Sequence, residues 1–367
     1  MKFLCERDAL LEALSNAGRA VSNRGNSVTA LSGIRAELNG DQLTLTGTDL
    51  DLTISVQIEV MGEVDGVVVL PAKLTSDIVR ALGEGRVEIT VEDEEARIVS
   101  GPANFTILLL PPEGFPTQAH ADTEPVTIPA KSFADAIKMV VRAASRDETR
   151  SVALNGVMLE AEANGLRLVA TDSYRLAIAD LPGFSLLGEQ SQVIVPARAL
   201  QELIRLTSAS SDELEVHFEE SFATFRLGTT EVITRLISAD YPNYKGLIPT
   251  TNERSLKVDR DSFVESVRRV ALMVQSTQTP IRISCDTGNV ELRAVTPDRG
   301  EAREALEAEY EGEELLVAFN PEYLLDGLDA ISGEQVQLSL IDNVRPAVLR
   351  EAESDEFTYV LMPVRIS

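Results

Sequence analysis

Ala170-Thr-Asp-Ser-Tyr-Arg-Leu-Ala177 is the stretch on which the fold turns. A strand-like run, Leu166-Arg-Leu-Val-Ala170, ends on Thr171-Asp172, and a second apolar run begins at Leu176. The same phrase occurs about 123 residues earlier in Leu43-Thr-Leu-Thr-Gly-Thr-Asp-Leu-Asp-Leu-Thr-Ile54. It returns about 125 residues later in Val290-Glu-Leu-Arg-Ala-Val-Thr-Pro-Asp-Arg-Gly-Glu301. Three copies at near-equal spacing in 367 residues predict three related domains, each long enough to bury its own core.

The flanking segments repeat as well. A helix pattern with Leu10, Leu11, Leu14 and Ala17 on one face follows a short opening strand, and Asn39-Gly40-Asp41 signals a hairpin. A second unit opens with the buried-type strand Val67-Val-Val-Leu70 and a helix whose first turn holds Pro71. Val193-Ile-Val-Pro-Ala-Arg-Ala-Leu-Gln-Glu-Leu-Ile-Arg205 matches residues 68–80 almost position for position, and Leu315-Leu-Val-Ala-Phe-Asn-Pro-Glu-Tyr-Leu-Leu-Asp-Gly-Leu328 gives the third counterpart. Pro111, Pro112, Gly114 and Pro116 mark a linker. The expected fold class is therefore α+β: three tandem domains, 1–118, 124–250 and 251–367, each made of two strand–helix–strands units. Their helices are expected on one face of antiparallel sheets. Six similar units with a fixed rotation curve, and head-to-tail association closes them into a ring when the rotation permits.

Charge narrows the function. A formal net charge of −26 opposes ordinary nucleic-acid binding, which draws its affinity from Lys and Arg on phosphates. The acid is unevenly spread, however. The six expected helices (6–25, 72–83, 131–150, 197–206, 260–269 and 320–331) hold 15 Lys/Arg against 13 Asp/Glu, while the remainder holds 18 against 46. Neutral-to-basic helices thus sit on an acidic body. The first residues, Met1-Lys-Phe-Leu-Cys-Glu-Arg-Asp8, lack the apolar core of a signal peptide, and no run approaches the ~20 apolar residues of a membrane span. Cys5 and Cys285 are too few for a disulfide framework or metal site. The expectation is a cytoplasmic protein with no cofactor, no metal and no membrane partner.

Taken together, Leu45-Thr-Gly-Thr-Asp-Leu50, Leu154-Asn-Gly156, Val169-Ala-Thr-Asp-Ser-Tyr-Arg-Leu-Ala177, Val195-Pro196, Asp240-Tyr-Pro-Asn-Tyr244 and Tyr359-Val-Leu-Met-Pro-Val-Arg365 carry a family resemblance. In this order and spacing the whole chain resembles the β sliding clamps, the beta subunits of bacterial DNA polymerase III. The resemblance implies a head-to-tail homodimer: a ring of six domains, sheets outside and helices inside, around sequence-independent double-stranded DNA. It also implies partners that carry a short clamp-binding motif, namely DNA polymerases, the clamp loader and repair proteins, and so a processivity factor for DNA replication.

Three sets of residues follow from it. Candidate DNA contacts are Arg24, Lys73, Arg80, Lys138, Arg142, Arg146, Arg150, Arg198 and Arg205, with Arg24 on a DNA-contacting position of the family. The partner-peptide pocket is expected from Leu154, Thr171, Tyr174, Arg175, Leu176, Pro242, Leu247, Val344, Val360, Met362 and Pro363, with Asn320 and Tyr323 beside it. Apolar walls with a few polar groups suit an anchored peptide; from the residues alone Leu176, Val360 and Met362 read as ordinary core packing, and it is the resemblance that places them in the pocket. Gly246, Ser173-Tyr174 and Pro346 depart from the family's usual residues at the rim. The dimer contact is expected from Phe105, Ile107 and Leu108 on an edge strand and from Leu272 and Met273, with the alternative that 107–110 turns inward. Glu301, Glu304 and Glu307 are read either as partners for a neighbour's cations or as solvated charge.

Enzymatic readings find little support. His120 and His217 have no Cys, Ser or metal partner near them in sequence, and no Walker or Rossmann glycine loop is present. Thr171-Asp172, repeated as Thr48-Asp49, reads as a turn device that satisfies backbone amides. The acidic 49–51 and 92–95 stretches read as solvated loops. No catalytic residue is expected. The competing readings are an acidic repeat scaffold that does not encircle DNA and, behind it, a hydrolase whose site leaves no sequence mark.

Overall fold

The computed structural model describes residues 1–22, 28–116, 124–147, 149–187, 190–207, 213–249, 251, 253–274 and 279–365. Its strand pairings are antiparallel, and the strands form four sheets with six α-helices among the described residues. The chain divides into two compact units. The first comprises 1–130 with 205–236, and the second 131–204 with 237–367.

In the first unit, a five-stranded sheet runs Met61–Val64, Lys2–Glu6, Arg86–Glu92, Glu95–Ser100, Ala103–Leu108. An eight-stranded sheet joins strands of the first and second repeats through the pairing of Thr230–Arg235 with Leu52–Glu59. Helix α1 (Arg7–Ala17) buries Leu10, Ala13, Leu14 and Ala17, a three-and-four spacing that makes one apolar stripe. Helix α2 (Ala72–Ala81) buries Ala72, Thr75, Ile78 and Val79 in the same way. Gly47 lets α1 come this close: a Cβ there would stand 2.0 Å from the Ala17 carbonyl oxygen.

In the second unit, a nine-stranded sheet joins the second and third repeats where Arg175–Pro182 pairs with Phe357–Leu361, and a four-stranded sheet completes the unit. Helices α5 (Arg260–Ala271) and α6 (Pro321–Ala330) lie in this unit, whereas α3 (Ala130–Val141) and α4 (Ala197–Thr207) each have residues in both units. The Asp259 side chain caps α5 by accepting from Ser262 N, and Asn320 caps α6 by accepting from Glu322 N and Tyr323 N. Gly327 admits the Tyr359 ring against α6, since a Cβ would meet that ring at 2.6 Å.

Two helices are shorter than the periodicity predicts. Helix α1 gives way at Gly18 to a 3₁₀ turn, Gly18–Ala20, and Arg24 lies outside the described residues. Helix α3 stops at Val141, so Arg142, Arg146 and Arg150 follow it instead of extending it. Ser145 N donates to Leu154 O at 2.8 Å, and Asn155 Nδ2 donates to the carbonyls of Ser145 (2.9 Å) and Asp147 (3.2 Å). Those bonds fold the segment onto the turn Val152–Asn155, and tertiary bonding overrides a helical spacing of arginines.

The repeated Thr-Asp phrase is a turn, as expected. Asp172 Oδ1 accepts from Tyr174 N (2.9 Å) and Arg175 N (3.0 Å), while Thr171 Oγ1 accepts from Ser173 N and donates to Arg175 O. In the first repeat Asp49 Oδ1 accepts from Asp51 N and Leu52 N, and Thr48 Oγ1 from Leu50 N. The third residue of each turn is left-handed: Leu50 at φ 83° and Ser173 at φ 78°. In the third repeat Pro297 has no N–H to offer, and Thr296 Oγ1 donates to Met273 O.

Candidate functional site

The second unit gathers a polar and aromatic cluster directly after the Thr171-Asp172 turn. Tyr174 is half exposed and stacks on Tyr323, with ring centres 6.4 Å apart. The Arg150 guanidinium lies 5.3 Å from the Tyr174 ring centre, and that of Arg175 lies 4.3 Å from the Tyr323 ring centre. Ala144, Ser145, Arg146, Asp147, Asp172 and Glu322 join these four side chains around a cleft of about 260 Å³.

Arg175 is buried and fully engaged. Its Nε donates to Asp172 Oδ2 at 3.0 Å, Nη1 to Asp326 Oδ2, and Nη2 to the Arg142 carbonyl. Burial alone would lower its pKa; Tyr359, Asp326 and Asp172 outweigh that and hold it above the ordinary arginine value. Burial likewise raises the Tyr359 phenol, which donates to the Tyr323 carbonyl. Among the described residues, no buried polar side-chain atom of this cluster lacks a hydrogen-bond partner.

The expected pocket residues separate into buried and exposed groups. Leu154, Leu176 and Val360 are buried; Leu176 lies opposite Val360 across the strand pair and shares an apolar cluster with Ala153, Met158, Val169, Ile178, Ile194 and Tyr244. For Leu176 and Val360 the core reading therefore holds. Met362 is exposed, its N–H donating to Tyr174 O at 2.9 Å, and Pro363 beside it is half-buried. Leu247, Val344 and Pro242 are exposed on their own loops, and among the described residues no hydrogen bond or ring contact joins them to the tyrosine cluster. Thr171 and Asn320 are committed to the turn and the α6 cap. The Val344 loop is pinned by Asp342, whose carboxylate accepts from Arg345 N and Val344 N and falls to a pKa of about 2. Exposed Val152, absent from the expected set, adjoins the buried Leu154; an apolar residue two before a family position is its only sequence signal.

The candidate DNA contacts among the described residues are solvent-facing. Lys73, Arg80, Lys138, Arg142, Arg146, Arg150, Arg198 and Arg205 are all exposed. Arg80 pairs with Asp77, Lys138 with Asp135, Arg150 with Asp147, and Arg142 with Asp326 and Asp329. Arg268, which the sequence reading passed over, is likewise exposed and donates to Asp329. Phe105 and Leu108 stand exposed on the edge strand Ala103–Leu108, whereas Ile107 turns inward and Leu110 N bonds to Val69 O. Leu272 is 76% exposed, with Met273 half-buried beside it. Glu301 is drawn down by Arg303 and Arg293, and Glu304 by Arg269 and Ser266, so both already have partners within the chain.

No group of three or more His, Cys, Asp or Glu side chains that could hold a metal occurs among the described residues, and no helix there is long and apolar enough to cross a membrane. Cys5 and Cys285 are free and buried, with burial pushing each thiol up to about 12. His120 lies outside the described residues, and His217 is buried in the strand Glu213–Phe218.

Comparison with known proteins covers the chain from end to end. Residues 1–119, 127–243 and 245–365 match, in that order, the N-terminal, central and C-terminal domains of the DNA polymerase III beta subunit. The beta sliding clamp of Streptomyces coelicolor is 35% identical, and that of Pseudomonas putida 30%, each over the full length of both chains. The crystal structure of the Bartonella birtlesii DnaN sliding clamp bound to griselimycin superposes with a TM-score of 0.93 at 31% identity, and the Pseudomonas aeruginosa clamp bound to griselimycin with 0.91 at 30%, again covering both chains completely.

Proposed function

Because the chain belongs to the DNA polymerase III beta subunit family, the β sliding clamps, we propose that it works as a DNA sliding clamp, a homodimeric ring around duplex DNA that tethers polymerases and gives them processivity. The observation that carries this reading is the ordered match of all three clamp domains over the whole chain. The domains are taken as 1–118, 124–250 and 251–367. Retention then comes from topology, not affinity, and the acidic body keeps DNA to the helix faces. Phosphates meet those faces without base readout, largely through water.

The partner site is read as the floor of Leu154, Leu176 and Val360 with the exposed rim of Tyr174, Leu247, Val344 and Met362. It receives a short apolar or aromatic motif, each buried side chain contributing roughly 1.5–3 kcal/mol, which suits partners that exchange. The protein performs no covalent chemistry of its own and acts in the cytoplasm. The acidic-scaffold alternative is not carried forward, since the full-length relatives named above are clamps.

The test is retention on DNA of different topology. Once loaded on nicked circular DNA, the protein is expected to stay far longer than after the same DNA is cut to give free ends. Equal lifetimes on the two would sink the reading.

A further inference from the structure

The six helices begin at Arg7, Ala72, Ala130, Ala197, Arg260 and Pro321. Counted from those starts, the sixth residue is an acid every time: Glu12, Asp77, Asp135, Glu202, Glu265 and Asp326. The ninth is a cation in α2, α3, α4 and α5, namely Arg80, Lys138, Arg205 and Arg268. Residues three apart share a helix face.

In α2 and α3 the pair is closed within the helix, whereas in α5 Glu265 pairs with Arg269 and leaves Arg268 to another helix. Arg80 Nη1 donates to Asp77 Oδ1 at 2.9 Å, and Lys138 Nζ to Asp135 Oδ1 at 2.8 Å. The third repeat reaches the same end by another route. Its α6 has an acid, Asp329, at the ninth place, and Arg268 of α5 crosses to it at 3.1 Å. Arg142 donates to both Asp326 and Asp329. Shared descent of the repeats explains an acid at a fixed place. It does not explain why Arg268 of α5 and Arg142, just past α3, both find carboxylates on α6. These four cations are between 50% and 59% exposed, open to an incoming phosphate and yet already occupied.

We propose that Asp77, Asp135, Asp326 and Asp329 are resident counter-ions, positioned so that duplex DNA must compete for Arg80, Lys138, Arg142 and Arg268. This rests on the clamp reading above. A bare cation on a helix face gains a phosphate contact and releases a DNA counterion, which strengthens binding and makes it salt-dependent. A cation that must leave a carboxylate gains less. Each contact then holds DNA weakly, and successive phosphates exchange on it with a low barrier, as sliding requires.

The experiment uses the full-length protein with Asp135→Asn and Asp329→Asn combined, titrated onto a fluorescent duplex over a range of salt. At low salt the variant is expected to bind more tightly, by about fivefold for each pair opened, with a log–log salt slope steeper by about one per freed cation. Adding Lys138→Gln to Asp135→Asn should return the gain of that pair to the parent level. A role confined to helix stability would shift the melting temperature and leave the salt slope unmoved, and that result overturns the proposal. If affinity and slope stay at the parent values while Arg80→Ala with Arg142→Ala still weakens binding, the counter-ion role is wrong and the DNA-facing assignment stands. If the alanine variant is also unchanged and DNA topology has no effect on retention, the clamp reading falls and takes this proposal with it.

Discussion

The Arg175 guanidinium lies 4.3 Å from the centre of the Tyr323 ring while its Nη1 donates to Asp326, one turn further along the same helix. Tyr323 and Asp326 are three residues apart on α6, so one buried cation fixes both an aromatic rim residue and a helix-face carboxylate. Removing it would leave Asp172 and Asp326 without their central partner. Arg175→Ala is expected to cost roughly 3–5 kcal/mol, the range for stripping one member from a buried ion pair. Arg175→Lys should recover only part, because a single ammonium cannot reproduce the fork that reaches Asp172, Asp326 and the Arg142 carbonyl together. Urea unfolding of the two variants checks this; an alanine variant as stable as the parent would refute it.

The repeated turn makes a second prediction. Ser173 and Leu50 hold positive φ, which glycine adopts without strain. Ser173→Gly and Leu50→Gly should therefore stabilise, or at worst be neutral, within about 1 kcal/mol, unlike glycine placed elsewhere in these sheets. Thr171→Val removes a hydroxyl that accepts from Ser173 N and donates to Arg175 O, and should cost about 1–2 kcal/mol. Thermal unfolding of the three variants side by side gives the answer.

The sequence made the turn legible because its chemistry is local: Thr171, Asp172 and the amides they satisfy lie within four residues. Repetition exposed the six helices and the antiparallel class for the same reason. It did not show that the eight- and nine-stranded sheets continue from one repeat into the next, because the pairing of Thr230 with Val56 or of Leu176 with Val360 leaves no local mark. The end of α3 was hidden too. Arg142, Arg146 and Arg150 keep a helical spacing, and only Asn155 and Leu154, folding back onto 145–147, break it. The expected pocket residues were ambiguous for a physical reason: Leu176 and Val360 pack in the core, and a buried wall of a peptide site would look the same in sequence.

The rim of the pocket should act on binding and not on folding. Leu247, Val344 and Met362 are exposed, so replacing each with alanine changes stability by no more than about 0.5 kcal/mol. Affinity for a fluorescent peptide with one Leu and one aromatic residue should fall about 5- to 20-fold per substitution, the loss of a partly buried apolar contact. Unchanged affinity in all three variants would remove these loops from the site.

Asp342 gives a pH signature for the same region. Its carboxyl drops from 3.8 to about 2, because the Arg345 and Val344 amides and the Arg345 side chain bind its charged form. A depressed carboxylate stabilises the loop above its unfolded pKa, and that contribution is lost as pH falls from 3.8 through about 2. Between pH 5 and 8 it is constant. The Val344 and Arg345 amide resonances should therefore hold steady through pH 4 and titrate near the lower value. Asp342→Asn should remove the transition and weaken peptide binding by way of Val344.

The last prediction concerns subunit association. On the edge strand Ala103–Leu108 the exposed apolar residues are Phe105 and Leu108, the latter 68% exposed, while Ile107 packs into its own sheet. An open edge with apolar side chains is a template for another strand, and a lone soluble subunit would be expected to blunt it with charge. Leu272 in the second unit is likewise exposed at the end of α5. If these faces meet in a dimer, Leu108→Lys or Leu272→Glu should shift the protein to a monomer in sedimentation, whereas Ile107→Ala should chiefly lower stability, by about 2–5 kcal/mol. Because Leu108 and Leu272 contribute little to the subunit's own core, the charged variants should keep the parent's circular dichroism and melting temperature at low concentration. They should also lose the long residence on circular DNA, since a ring that cannot close cannot be retained by topology. A Leu108→Lys, Leu272→Glu double variant that remains dimeric at micromolar concentration would show that the contact lies elsewhere.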